Sequence, residues 1–520
     1  VQLTTQINSR VQQLYLPALV LIAIGLPFSK VLMSIGTIGL MLAWILEGQM
    51  LLKWKMLLKN KAAVLFISVF LMHLIALLYT NDFDYALRDI RIKLPLLVFP
   101  LAMATMAPVS KRKLNIVLLI FVLSTLFSTI YSYLIYTGAI DSKYDFTDVR
   151  YISVFISHIR LALLVTTCIC IILFFLPYIH LFLQISGLLT IIWMLYFLYI
   201  LESFTGFTVL FLCFVFYVFY RLITSRHKKI YIFLLLILIS VCLIIFLWIK
   251  TELNEFYTPK ESHIPTQTHT QNGEPYIHNL QSEEMENGYY TYLYYAPKEL
   301  DSTWNLRSTI HIDSLDNKKQ LIRFTLIRYL TSKGLKKDAQ GVSALTQQDI
   351  NNIENGIANI NYVKYKGVKK RLHQIIFEIQ TYLLRGNPSG NSITQRFEYW
   401  KTGIRIFLEN PWIGVGTGDV QRAFDKKYSE NNSLLAQKYR LHTHNQYLTF
   451  FIAFGALGGI LFLASLITPW IYALKKQYML YVYFMIIAAI SFFTEDTLET
   501  QAGVTFFAFF NSFFYFLHKE

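Results

Sequence analysis

The chain has 520 residues, of which 55% are hydrophobic and only 15% charged, too few polar groups to cover a soluble fold of this size. Its formal charge of +15 raises a nucleic-acid partner, but the basic residues fall in short loops between apolar runs, so that reading is set aside. Cys168, Cys170, Cys213 and Cys242 all lie inside apolar runs and show neither a pairing nor a metal spacing.

The chain opens on Val1, so its start reads as trimmed, and the first apolar run reads as a retained helix with no cleavable signal peptide. Apolar runs follow at 14–28, 31–50, 63–79, 94–109, 114–137, 159–179, 183–201, 207–221 and 230–249, then at 446–471, 478–493 and 503–517. A bilayer core takes about 20 residues of helix, so these runs predict about 12 transmembrane helices, the first, eighth, eleventh and twelfth being short. The loops at 53–61, 111–113, 221–229 and Lys475-Lys476 are basic, as is the tail His518-Lys519, and the loop at 178–180 lies on the same side. Those at 81–89, 141–148, Glu202 and 495–499 lean acidic. This alternation predicts both termini on the cytoplasmic side.

Residues 250–444 break the pattern as one large, mainly helical excursion on the non-cytoplasmic side, between the ninth and tenth helices. The expected division is a membrane bundle at 1–249, a loop domain at 250–444 and three closing helices at 445–520. The part up to Arg307 reads as irregular, with Pro259, Pro265, Pro275 and Pro297. Ile322, Leu326, Tyr329 and Leu330 fall at helical spacing, as do Leu372, Ile375, Ile376 and Ile379.

Ser392 and Gln395 fit a capping box for a helix that ends before Pro411. Arg396, Trp400, Gly403 and Phe407 share one face of it, while Arg405 has Glu398 and Glu409 near helical spacing and reads as a surface ion pair or a weaker binding group. Arg396 has no such neighbour and is the candidate anion-binding group. The run Gly414-Val415-Gly416-Thr417-Gly418 reads as a turn, without the βαβ setting of a dinucleotide site. His442-Thr443-His444-Asn445 stands where the chain re-enters the membrane, and neutral imidazole there can serve as a general base. No third and fourth ligand accompanies the His-x-His pair, so no metal is expected. Arg88, Arg91, Lys93, His158, Arg160 and the Glu495-Asp496 pair fall at the same membrane edge, where the cations would suit a phosphate or pyrophosphate.

Arg396-Phe-Glu-Tyr-Trp400, Asn410-Pro-Trp-Ile-Gly-Val-Gly416, His442-Thr-His-Asn-Gln-Tyr-Leu448 and Phe454-Gly-Ala-Leu-Gly-Gly459, in that order, resemble the O-antigen ligase and polymerase superfamily. The runs 92–100 and 495–503 resemble its ligase branch. The resemblance implies an inverting, metal-independent glycosyltransferase of the bacterial inner membrane, without cofactor, with a periplasmic active site. Its donor would be a glycan on undecaprenyl pyrophosphate, and its acceptor a sugar hydroxyl of the lipid A core in lipopolysaccharide biosynthesis. Polymerization onto a second lipid-linked glycan, protein O-glycosylation and, outside enzymes, transport of the lipid-linked glycan are the alternatives. By carry-over His444 is the catalytic histidine and Arg396 the loop arginine. His442 and Asn445 would orient the base or a sugar, with Arg160, Arg91, Lys93, Arg88, His158 and Glu495 at the substrate. One departure stands out: where the family has a basic residue in a Ser-Arg-x-Gly-like run, this chain has Phe204 in Glu202-Ser203-Phe204-Thr205-Gly206.

Overall fold

Each apolar run carries helix in the computed structural model, which describes residues 9–140 and 152–518. The expected acidic loop at 141–148, the first eight residues and Lys519 lie outside the described residues. Among the described residues seven helices are long and apolar enough to cross a membrane: Lys61–Leu78, Lys111–Tyr136, His158–Tyr178, Leu181–Ile200, Phe204–Thr224, Lys228–Tyr257 and Gln446–Lys476. The pair Lys30–Leu46 and Met50–Lys59 makes an eighth if read as one bent span. Gln13–Phe28, Met479–Thr494 and Gln501–Leu517 are apolar but shorter. The run at 94–109 yields only helix Pro95–Thr105, 11 residues that begin on a proline and contain Pro100. Its length of roughly 17 Å falls well short of a hydrocarbon core of about 30 Å.

The stretch at 53–61, expected as a loop, is mostly helix. Helix Lys30–Leu46 turns through 112° into Met50–Lys59. Gly48 and Gln49 take left-handed backbone angles at the corner. Buried Glu47 pins it, accepting from Tyr15 at 2.6 Å and from the amide of Ala107 at 3.0 Å, and pairing with Lys53 at 2.7 Å. Met50–Lys59 leaves Leu51, Trp54 and Leu58 exposed, the pattern of a helix lying in a membrane interface.

Two compact units divide the chain. The first comprises Val1–Tyr220, Arg396–Ser433 and Gln437–Glu520. Helix Gln501–Ser512, rich in phenylalanine, is buried on every side from Ala502 to Ser512. Its phenylalanines interlock with Phe484 and Phe492 of Met479–Thr494.

The second unit comprises Arg221–Gln395 with Leu434–Ala436. Of the loop domain expected at 250–444, residues 396–433 and 437–444 fall in the first unit. Residues up to Arg307, expected to be irregular, are hydrogen-bonded turns with a ribbon pairing Met285–Glu286 with Tyr289–Tyr290, followed by helix Pro297–Arg307. Trp304 of that helix packs with Ile322, Leu326, Tyr329 and Leu330 of Ile322–Ser332, so the first predicted apolar face is the core of this unit. In Gly367–Arg385 only Ile376 of the second predicted face is buried, because the helix also buries His373, which meets Glu252 at 2.9 Å.

Candidate functional site

All the groups of the site belong to the first unit. Asn445 starts the re-entering helix: its backbone is extended, and its side-chain oxygen accepts from the amide of Leu448 at 3.1 Å. That cap engages the side-chain oxygen of Asn445, the residue expected to orient a base or a sugar, and leaves its amide NH2 group for other partners. His444, just before it, has φ of 47°, a left-handed conformation that is strained for a side chain with a Cβ, though histidine tolerates it better than most. Asp496 holds it there. One carboxylate oxygen accepts from the amide of His444 at 2.8 Å, and the other from the hydroxyls of Thr449 at 2.8 Å and Thr443 at 3.1 Å. Trp400 donates from its indole to the carbonyl of Thr443 at 3.0 Å.

His442 brings Nδ1 within 2.7 Å of Asp496, an ion-pair approach that lies off the hydrogen-bond direction. Burial works against the imidazolium of His442, but the Asp496 carboxylate outweighs it and the pKa is raised. Burial likewise works against the Asp496 carboxylate. His442 in particular, then His444 and Thr449, outweigh it and hold Asp496 at about 2. The Asp496–His442 contact thus favours the charged form of both groups.

The neighbouring carboxylate, Glu495, joins the two residues singled out from the sequence. Arg396 donates through Nη2 to Oε1 at 2.8 Å, and His444 Nδ1 lies 3.3 Å from Oε2. The three side chains keep 31% (Arg396), 22% (Glu495) and 31% (His444) of their surface, so the trio is open to a ligand. A carboxylate at Nδ1 selects the tautomer with its proton there, which leaves Nε2 as the proton acceptor. Tyr399 lays its ring 5.6 Å from the His444 ring, and His442 stacks at 6.1 Å on the same imidazole. The helix Ser392–Glu409 carries Arg396 and Trp400 as the spacing predicted, but the hydroxyl of Ser392 accepts from Arg371 at 2.6 Å.

The other predicted cations sort differently. Lys93 is buried, bonding both oxygens of Asp89 at 2.8 and 2.7 Å and both of Glu499 at 3.1 Å. Burial opposes its charge, but the two carboxylates raise its pKa well above the ordinary lysine value. Lys93 is thus held between two carboxylates within the fold. Asp89 also accepts from Thr417 at 2.9 Å, whose hydroxyl meets His73 at 2.8 Å. A cavity of about 10 Å³, room for one water, lies among His73, Lys93, His442 and Glu499. Arg88 and Arg91 lie on the opposite, exposed face of helix Phe83–Lys93. Arg160, in the same helical turn as His158, donates to Ser157 at 3.3 Å and lies within electrostatic range of Glu495. Arg405 is exposed, and its expected partners are engaged elsewhere: Glu409 with Lys427 at 2.5 Å and Glu398 with Ser433 at 3.0 Å. Phe204, at the place of the family's basic residue, is exposed in the first turn of Phe204–Thr224.

The glycine run has a structural role that its sequence did not show. Helix Gln446–Lys476 breaks at Gly455, whose φ of 63° and ψ of −165° free nearby carbonyls. The amides of Val415 and Gly416 donate to Ile452 and Ala453 at 2.9 Å each, and Ala456 donates to Pro411 at 2.7 Å. A Cβ on Gly414 or Gly455 would strike backbone atoms at 2.4 Å or less. A broken membrane helix needs such replacement partners. The turn ends at Asp419, which accepts from Thr80 at 3.0 Å and from the amide of Asn81 at 2.5 Å. His73 and Thr417 were not singled out from the sequence. A histidine within an apolar run was the available signal for the first. Among the described residues no group of three or more His, Cys, Asp or Glu is arranged to hold a metal ion.

A family model described as O-Antigen ligase matches residues 343–463, a span that includes Arg396, the glycine turn, His442 and His444. The match supports the O-antigen ligase and polymerase superfamily for this membrane protein. No curated protein matches the chain.

Proposed function

We propose that this membrane protein is a glycosyltransferase that moves a glycan from undecaprenyl pyrophosphate to a sugar hydroxyl of the lipid A core. The observation that carries the reading is the open trio of Arg396, Glu495 and His444. His444 Nε2 takes the proton of the acceptor hydroxyl as its oxygen attacks the anomeric carbon. The bond from that carbon to the pyrophosphate oxygen breaks on the opposite face, which inverts the centre and releases undecaprenyl pyrophosphate as an anion. The leaving group needs charge stabilisation more than a proton. Arg396 spends only Nη2 on Glu495, so its remaining donors can meet the pyrophosphate. Arg160 adds positive charge near Glu495, in a chain that carries Phe204 at the family's basic position.

An apolar groove of about 390 Å³ starts at Tyr447, three residues from His444, and runs past Leu466, Trp470 and Met485. It suits the polyprenyl tail. In this reading the bent pair, the three shorter apolar helices and the short helix Pro95–Thr105, shielded by its protein neighbours, complete an arrangement of about twelve spans in the inner membrane, with cytoplasmic termini and a periplasmic site.

The test is His444→Ala in purified protein, checked for fold and assayed with a lipid-linked glycan donor and lipid A core. Turnover is expected to fall by roughly 10²–10⁴, the range of a lost general base. Wild-type turnover would remove the base assignment. Elongation of a second lipid-linked glycan in place of the core would make the protein a polymerase.

A further inference from the structure

A second cavity of the first unit lies away from His444. Helix Gln446–Lys476 starts beside His444, and about 35 Å of helix separates Gln446 from Pro469, which lines this second cavity. The cavity measures about 680 Å³, within the range of small-ligand sites. Lys59 and Lys61 line it together with Tyr472, Tyr478 and Tyr515, and none of its lining residues is a carboxylate.

Three features describe its occupant. Lys53 of the adjoining helix is consumed by Glu47 at 2.7 Å, whereas Lys59 and Lys61 are exposed and have no ion pair among the described residues. The tyrosines form a ring cluster, with Tyr472 at 6.1 Å from Tyr515 and 6.5 Å from Tyr478, offering apolar faces beneath hydroxyl groups. The mouth adjoins helix Met50–Lys59, whose exposed Leu51, Trp54 and Leu58 suit contact with acyl chains. A soluble anion would gain nothing from that apolar rim.

We propose that this cavity binds the phosphate headgroup of an anionic phospholipid, with Lys59 and Lys61 on the phosphate and the acyl chains beside Met50–Lys59. The site is independent of the glycosyltransferase reading, since it shares no residue with the trio.

The test is native mass spectrometry of the detergent-solubilised full chain, titrated with phosphatidylglycerol, phosphatidylethanolamine or phosphatidylcholine. One equivalent of phosphatidylglycerol is expected to be retained in preference to the other two. The double variant Lys59→Gln/Lys61→Gln is expected to weaken that retention about tenfold or more, and Lys59→Arg/Lys61→Arg to preserve it. Equal retention of all three lipids, or unchanged retention in the glutamine variant, would overturn the proposal. Displacement of phosphatidylglycerol by millimolar inorganic phosphate would make this a soluble-anion site and overturn it as well.

Discussion

Glu495 and Glu499 stand four residues apart, and each meets a cation from a distant part of the chain, yet they differ in what surrounds them. Glu495 shares its oxygens between Arg396 and His444, and all three side chains keep a fifth to a third of their surface. Glu499 lies against Lys93, of which 3% is exposed, and accepts from Gln446 at 3.1 Å. In the first set an incoming anion can compete for Arg396, because water and ligand can replace what Glu495 gives up. In the second set no replacement is at hand, so the same type of pair serves as a fixed strut. Through Gln446 that strut reaches the first residue of the helix that follows His444. Exposure, more than charge, separates the group that can work from the group that holds it.

The sharpest way to break this comparison is Lys93→Met. It strips buried Asp89, and Glu499 with 14% of its side chain exposed, of their cation, and a buried pair that loses one member costs about 3–5 kcal/mol. Thermal unfolding in detergent should show that loss, and adding Glu499→Gln should return part of it by removing the stranded charge. A single variant as stable as the parent would mean that the strut carries no load.

Arg396→Ala is expected to act on the other side of the comparison. Turnover should drop by about 10²–10³, as when a donor to a developing anion is removed, while the unfolding temperature stays near the parent value. Arg396→Lys keeps the charge but loses the planar fork, and should recover only part of the rate. Steady-state kinetics beside a melting curve decides it. A variant that unfolds as readily as the Lys93 variant would place Arg396 among the struts.

Part of this division was legible in the sequence. The apolar spacing pointed to helices in each run and to the core face of Ile322–Ser332, and the order of short motifs pointed to Arg396 and His444, which meet at Glu495. The pairing of Lys93 has a local signal in the sequence. Asp89 and Lys93 stand at i,i+4 on one helix, the spacing that favours an ion pair, and that signal was given weight only at Arg405. At Arg405 the acidic neighbours pair elsewhere. The Arg396–Glu495 bond joins residues 99 positions apart, and no local pattern announces it. Nor could the glycine run reveal that its amides complete the break at Gly455, since only folding brings 415–416 beside 452–453.

The smallest effect concerns pH and belongs to the pair that frames His444. The pKa of His442 is raised above its unfolded value, near 6.5, by Asp496 and Glu499 against burial and Lys93. Its contribution to stability is therefore complete below about pH 6.5 and is lost as pH climbs through the raised value. Asp496 is lowered to about 2, so its contribution is present above the unfolded value near 3.9 and fades only as pH falls toward 2. Together they give a plateau between about pH 4 and 6.5 and a decline on the alkaline side, with a slope of at most about 1.4 kcal/mol per pH unit for one proton. Melting temperatures between pH 5 and 9 should show this decline in the parent and lose it in His442→Asn. If the variant kept the slope, another group would be titrating, and Asp496 would have to hold the strained backbone of His444 without help from a charged His442.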